Sequence, residues 1–415
     1  MPGFKPTKAI SNSLLFPITS GLKDGKGSLS ILNFARNTEN LTCHLCATAF
    51  SLFLALMKHK KNWIIVATLA ILALTINLFS SNSYRVEQYY STRLYPYISV
   101  FLRYIFGWLP VSIGDLLYAA IVIWLLVKLF KAIRAIYKKR FLPRGYLLAM
   151  QSVLIKLLVI YILFNALWGI NYNRQGIASQ LDMSTEKYSL ADLKILNGLL
   201  LKKVNASSTL LSQQHTPILS SKEIFSHSAE AYDSLVKTYP FLNYQPPSLK
   251  VSLWSWLGNY VGFLGYYNPF TGEGQVNITG PKFLQPYTYC HEIAHQLGYA
   301  KENEANFVGY LAAAASKNEP FHYSVYLDLF LYANSNLYNA DSAAAKSFRK
   351  DLLPAVKQDL KEWRQFNLRY KNPIEPVIRW MYGIYLENNQ QPSGILSYDE
   401  VTGLLIAYHK KYGKL

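Results

Sequence analysis

The chain has 415 residues, 51% of them hydrophobic and only 16% charged, with a mean hydropathy of +0.08. That length could hold two or three domains, and the balance points to membrane segments rather than a single water-soluble globule. The formal net charge of +18 raises nucleic acid as a partner. Its placement argues against that class, because Lys58, Lys60 and Lys61, and then Lys128, Lys131, Arg134, Lys138, Lys139, Arg140 and Arg144, flank apolar runs with no nucleic-acid motif beside them.

Residues 1–56 mix Ser, Asn, Gly and Lys with scattered apolar residues and carry no sustained period. They read as a disordered extension, or as sequence upstream of a true start at Met57. Within them, Cys43 and Cys46 form a C-x-x-C with no second ligand pair nearby, which reads as chance. Residues 57–170 read as a membrane region. Apolar runs at 63–80, 113–130 and 147–170 are each long enough to cross about 30 Å of hydrocarbon. Lys156, inside the third, is expected to snorkel toward the basic end of its helix. Between the first two, residues 95–108 are rich in Tyr, Phe and Trp and predict an interfacial helix stopped by Pro110. Ten Lys and Arg flank the first run and fill the loop between the second and third, against five on the other side. That bias predicts an N-terminus inside the cell and residues 171–415 outside the cytoplasmic membrane.

Residues 171–415 read as a mostly helical domain. Helical spacing runs through 191–204, 222–239, 343–370, 373–387 and 398–412, while 248–256 is β-prone and 262–278 predicts a strand, a turn and a strand. Within it, His291-Glu292-Ile293-Ala294-His295 is an H-E-x-x-H followed by Gly298, a residue suited to the left-handed position after a helix. His291 and His295, one turn apart, leave the same helix face and can meet one Zn²⁺. Glu292, rotated about 100° away, is the candidate general base. A third ligand is needed. Glu302 and Glu304 both follow; a second helix beginning near Asn303 favours Glu304, leaving Glu302 as a capping or supporting carboxylate. Cys290 reads as a small packed residue.

The run from His291 to Gly309 (HEIAHQLGYAKENEANFVG) resembles the gluzincin metallopeptidases. More closely, the chain is similar to an uncharacterised bacterial family of zincin-like integral membrane proteins. The similarity is carried by Leu109-Pro110-Val111-Ser112-Ile113-Gly114-Asp115, by Pro269-Phe270-Thr271-Gly272-Glu273 and by Gly394-Ile395-Leu396-Ser397-Tyr398. It implies a mainly α fold: three transmembrane helices, then a zincin-like domain with a small sheet. It also implies a strand edge ahead of the metal helix that takes an extended peptide, here at Val276 and Asn277. A side chain to steady the oxyanion is expected as well, with Tyr332, Tyr338 and His322 as candidates. The expected function is zinc-dependent hydrolysis of peptide or protein substrates in the cell envelope, by a chain held in the lipid bilayer of the inner membrane. The alternatives are a zinc-stabilised scaffold and proteolysis inside the membrane, the latter disfavoured by the polar residues around the motif.

Overall fold

The computed structural model of the chain describes residues 60–138, 146–185 and 187–415; the expected start at Met57 and the Cys43–Cys46 pair lie outside them. Four helices open it: α1 (Lys60–Ser80), α2 (Tyr95–Phe106), α3 (Ile113–Tyr137) and α4 (Tyr146–Leu167). All but α2 are long and apolar enough to cross a membrane. α3 starts where Ser112 Oγ accepts the Asp115 N–H, two residues past Pro110. It runs on to Tyr137, beyond the expected end, and Arg134 in its last turn suits the negative end of the helix dipole. Lys156 Nζ reaches back one turn to Ser152 Oγ at 3.0 Å, toward the basic end of α4. α2 stands where the aromatic loop predicts it, with Tyr97, Phe101, Tyr104 and Trp108 exposed. A π-helical stretch, Val86–Leu94, leads into it and turns Glu87, Tyr90 and Ser91 inward, which no local signal announced.

Ile65–Leu415 forms one compact unit; of Met1–Ile64 only the opening residues of α1 are described. After α4 come α5 (Leu190–Gln213) and α6 (Ser221–Leu235), each started by a capping box, Ser189 with Asp192 and Ser220 with Glu223. Then follow β1 (Leu249–Val251), α7 (Ser255–Val261), β2 (Gly265–Asn268) and β3 (Glu273–Val276). The remaining helices are α8 (Gln285–Gln296), α9 (Glu302–Ala315), α10 (Glu319–Ala340), α11 (Ser342–Lys350), α12 (Pro354–Tyr370), α13 (Glu375–Asn388) and α14 (Val401–Tyr412). The strand, turn and strand predicted over 262–278 are β2 and β3. The helix expected over 343–370 is broken because Pro354 can begin a helix but not continue one. α10 carried no amphipathic signal for a physical reason: Phe321, Val325, Leu329, Phe330 and Leu337 are buried around it, against α5 and α8.

The sheet has the order β1-β3-β2, with β1 parallel and β2 antiparallel to β3. It is locked to the start of α3. Glu273 accepts the Gly114 N–H at 2.6 Å and the Ile113 N–H at 3.2 Å, placing a carboxylate on the positive end of that helix. Gln275 Nε2 stands 3.0 Å from Ser112 Oγ; with its amide turned over, the nitrogen meets the Glu273 and Tyr266 carbonyls and the oxygen takes the Ser112 hydroxyl. Asp115 in return accepts the Leu253 N–H at 2.8 Å and the Tyr266 hydroxyl. A Cβ at Gly114 would lie 2.5 Å from Asn268 Nδ2, so only glycine lets the sheet come this close.

A second lock is ionic. Arg174 Nη2 and Nε donate to Glu87 at 2.7 and 3.1 Å, and both side chains are almost wholly buried. Glu87 also accepts the backbone N–H of Gln175 and the Gln180 side-chain amide, while the guanidinium lies over the Tyr299 ring. Removing one partner leaves the other as an unpaired buried charge. Arg174→Ala is therefore expected to destabilise the fold by about 3–5 kcal/mol, read as a drop of several degrees in the melting temperature of the detergent-solubilised chain. Lys410→Ala, which breaks an exposed pair with Asp192, should leave it nearly unchanged.

Candidate functional site

α8 begins with Pro286 in its first turn and is buried along nearly its whole length. It ends as the sequence predicts: Gly298 takes φ +91°, and the Tyr299 N–H returns to the Ala294 carbonyl. The last carbonyls of a helix lack partners within it, and here they are met from the segments that adjoin α2 and α4. Tyr95 Oη and Ser99 Oγ donate to Gln296 O at 3.0 and 2.6 Å. Trp168 Nε1 donates to His295 O at 3.2 Å, and Arg174 Nη1 to Gly298 O at 3.1 Å. On its other side, Gln296 Nε2 ties α8 to Gly272 O and Ser248 O beside the sheet.

His291 and His295 project from one face of α8, with ring centroids 4.6 Å apart. The carboxylate that meets them is that of Glu302, whose Oε2 lies 3.3 Å from His291 Nε2 and 3.5 Å from His295 Nε2. Each offers one ligand atom to a cluster in which all three lie within 4.8 Å of one another, a set able to hold a metal ion. His295 Nδ1 is 2.8 Å from Tyr299 O; a carbonyl can only accept, so Nδ1 carries a proton and Nε2 faces Glu302. Glu302 Oε2 has no hydrogen bond of its own, while Oε1 accepts the Tyr382 hydroxyl at 2.8 Å. Burial opposes charge throughout this cluster. At Glu302 the two imidazoles outweigh it and hold the carboxyl well below its usual range. At His295 the Glu302 carboxylate outweighs it and pushes the imidazole up to about 9, whereas burial prevails at His291 and lowers it.

Glu304, expected as the third ligand, points elsewhere. α9 starts at Glu302, one residue earlier than the sequence reading placed it, and two residues along a helix is a rotation of about 200°. Glu304 is turned to the far side, against Gly176, where a Cβ would stand 1.9 Å from its Oε1, and toward Arg174. Val276 and Asn277 are not on a free edge either. β3 is the central strand, with Val276 paired to both Val251 and Gly265, and the Asn277 side chain spent on Asn259 and Phe263 O. Both outer strands, β1 and β2, have an unpaired side, and β2 is the one that lies beside the cluster. Its Gly265 lies against Glu292, where a Cβ would be 2.3 Å from Oε1. Burial raises the Glu292 carboxyl to about 8, His295 acting against that and Glu302 with it.

Two tyrosines that the sequence reading passed over cover the cluster. Tyr382 bonds Glu302, and Tyr398 stacks near His291 with ring centroids 6.4 Å apart. Among 32 tyrosines no local signal marked Tyr382, while Tyr398 closes the motif Gly394–Tyr398, which hinted at its place. Of the oxyanion candidates, Tyr332 is within electrostatic reach of Glu302, Tyr338 is 52% exposed, and His322 is engaged with Ser316 O and Glu319. Cys290 is fully buried and its thiol is pushed up by that burial, as befits a packed residue.

A family described as a protein of unknown function, DUF3810, matches residues 90–406. The chain belongs to this family. No curated protein and no solved structure matches it. The DUF3810 match begins in the π-helical stretch and ends in α14, so it takes in the α2 and α3 contacts together with the whole cluster.

Close helix packing positions His291. A Cβ at Gly309 of α9 would come within 3.0 Å of His291 N and 3.1 Å of its Cα, backbone atoms that cannot yield. Gly309→Val should therefore cost at least about 1–3 kcal/mol through overpacking. Gly198→Ala, inside α5 with its nearest neighbour at 3.7 Å, should instead gain about 0.5–1 kcal/mol. Paired thermal melts of the two variants check both signs.

Proposed function

We propose that this chain is a membrane-anchored, zinc-dependent metallopeptidase that acts on peptide or protein substrates at the outer face of the cytoplasmic membrane. The observation that carries the reading is the convergence of His291 Nε2, His295 Nε2 and Glu302 Oε2, with the Glu292 carboxylate next to them on the same helix. Two imidazoles and a carboxylate, three protein ligands in all, make a donor set that suits a catalytic zinc with an open position. Bound there, zinc supplies Lewis acidity, polarising a substrate carbonyl and easing the deprotonation of water.

The chain's own residues supply the rest. Glu292 takes the proton of the attacking water and passes it to the departing amine. Its burial beside the two imidazoles keeps that proton away from bulk water during the exchange. Tyr299 O fixes the His295 ring, and Tyr382 fixes Glu302. β2 offers an unpaired strand edge beside Glu292, along which an extended peptide can lie. Tyr398, whose ring stacks near His291, is a phenol at the cluster that can turn its proton to a developing oxyanion. Against cleavage inside the membrane, α8 is not among the three apolar helices and is packed within the helical domain. The surplus of Lys and Arg before α1 and between α3 and α4 supports an outward-facing domain.

Metal analysis separates the roles. His291→Ala and Glu302→Gln should lose zinc on dialysis, since two ligands hold it poorly, whereas Glu304→Gln should keep it. Glu292→Gln should keep zinc and lower cleavage of a quenched-fluorescent peptide library by about 10²–10⁴-fold. Full activity in Glu292→Gln would sink the hydrolytic reading and favour a zinc-bound scaffold. Orientation is checked separately. A phosphatase that folds only outside the cytoplasm, fused after Leu415, should be active, and silence there would reverse the topology.

A further inference from the structure

The outer face of α13 is apolar and bare. Val377, Trp380, Met381 and Ile384, spaced three and four apart, are exposed by 53%, 66%, 60% and 38%. α13 packs beside α7, which exposes Trp256 and Leu257. A contiguous patch of this kind on a folded surface marks a partner.

What lies beside it can be read from the tethers of α13. Tyr385 Oη is 3.0 Å from Tyr172 Oη, and Tyr172 follows closely on the end of α4. The same Tyr385 is within electrostatic reach of Tyr118, in the second turn of α3. The last residues of α13, Asn388 with Asn389 and Gln390, share a polar cavity of about 450 Å³ with Asn77 and Ser80 of α1 and Asn165 of α4. The helix therefore lies across the ends of all three apolar helices. Tyr118 is five residues into α3, so the tethers reach only about 7–8 Å below its start. That is the depth of the headgroup layer at the end of a span. Leu253, just before α7, is held to Asp115 at the same level.

We propose that α13, with α7 beside it, is seated in the headgroup layer of the bilayer that holds α1, α3 and α4, its apolar face turned to the lipid. Trp256 and Trp380 are then interfacial anchors, and Arg379, paired with Glu375 at the edge of that face, reaches the headgroups. The inference rests on those three helices crossing the bilayer and is independent of the hydrolytic reading. Because Tyr382 of α13 holds Glu302, the helix in contact with lipid is also the one that covers the cluster.

The test uses the full chain in phospholipid nanodiscs, with Cys43 and Cys46 replaced by serine and the fully buried Cys290 retained. Spin labels are placed singly at Val377→Cys, Met381→Cys, Ile123→Cys in α3, and Lys222→Cys on α6, a surface remote in sequence. Collision with oxygen, which partitions into lipid, is compared with collision with a water-soluble nickel chelate. Labels at 377 and 381 should meet the chelate several-fold less often than the label at 222, and oxygen more often. The label at 123 should be shielded most. Chelate access at 377 and 381 equal to that at 222, with 123 still shielded, overturns the seating alone. Access at 123 as well overturns the spans and the seating together. Close spin–spin coupling between chains at 377 or 381, abolished by dilution with unlabelled chain, assigns the patch to a second copy and also overturns it.

Discussion

The C-terminal end of α8 is the constraint on which the rest of the structure turns. A helix that stops in the interior leaves carbonyls without partners, and each one buried unpaired costs about 1–3 kcal/mol. This chain meets them with Tyr95 and Ser99 of α2, and with Trp168 and Arg174 from the segment that follows α4. His295 sits in that last turn, and its ring is set by the carbonyl of Tyr299 just beyond it. The direction in which the imidazole points is thus tied to where the segments next to the membrane lie.

The sheet makes the same connection from the other side. Glu273 caps α3, Asp115 of α3 holds the chain before α7 and the Tyr266 hydroxyl, and β2 lays Gly265 against Glu292. Two sequence motifs that resemble separate signatures, Leu109 to Asp115 and Pro269 to Glu273, are the two halves of this one joint. Each supplies hydrogen-bonding groups that the other would otherwise leave buried and unpaired.

Much of this was legible in the sequence wherever a local rule governs. The apolar runs gave the three long helices, the turn residues gave β2 and β3, and Gly298 gave the end of α8. The choice between Glu302 and Glu304 was not decided by any local rule. It depended on whether α9 begins at 302 or 303, and Gln391, some ninety residues on, settles that by accepting the Glu302 N–H. The position of β3 between two strands was equally hidden, because β1 pairs with it in parallel from beyond an intervening helix and strand. α10 escaped notice because most of its length is buried on several sides, leaving no sustained polar face to set its period. Tyr382 carried no local signal, and Tyr398 was marked only as the end of the motif Gly394–Tyr398, since the folded chain alone brings them to the cluster.

The lock between Glu87 and Arg174 carries a consequence for any attempt to obtain the helical domain as a separate piece. Cutting the chain after α4 looks natural from hydropathy, yet it strands the Arg174 guanidinium in the interior without its counter-charge. It also strips the Gln296 carbonyl, one residue past His295, of both its donors from α2. The fragment would dissolve more readily and hold His295 less firmly. Solubility would come at the expense of the geometry that makes the fragment worth having.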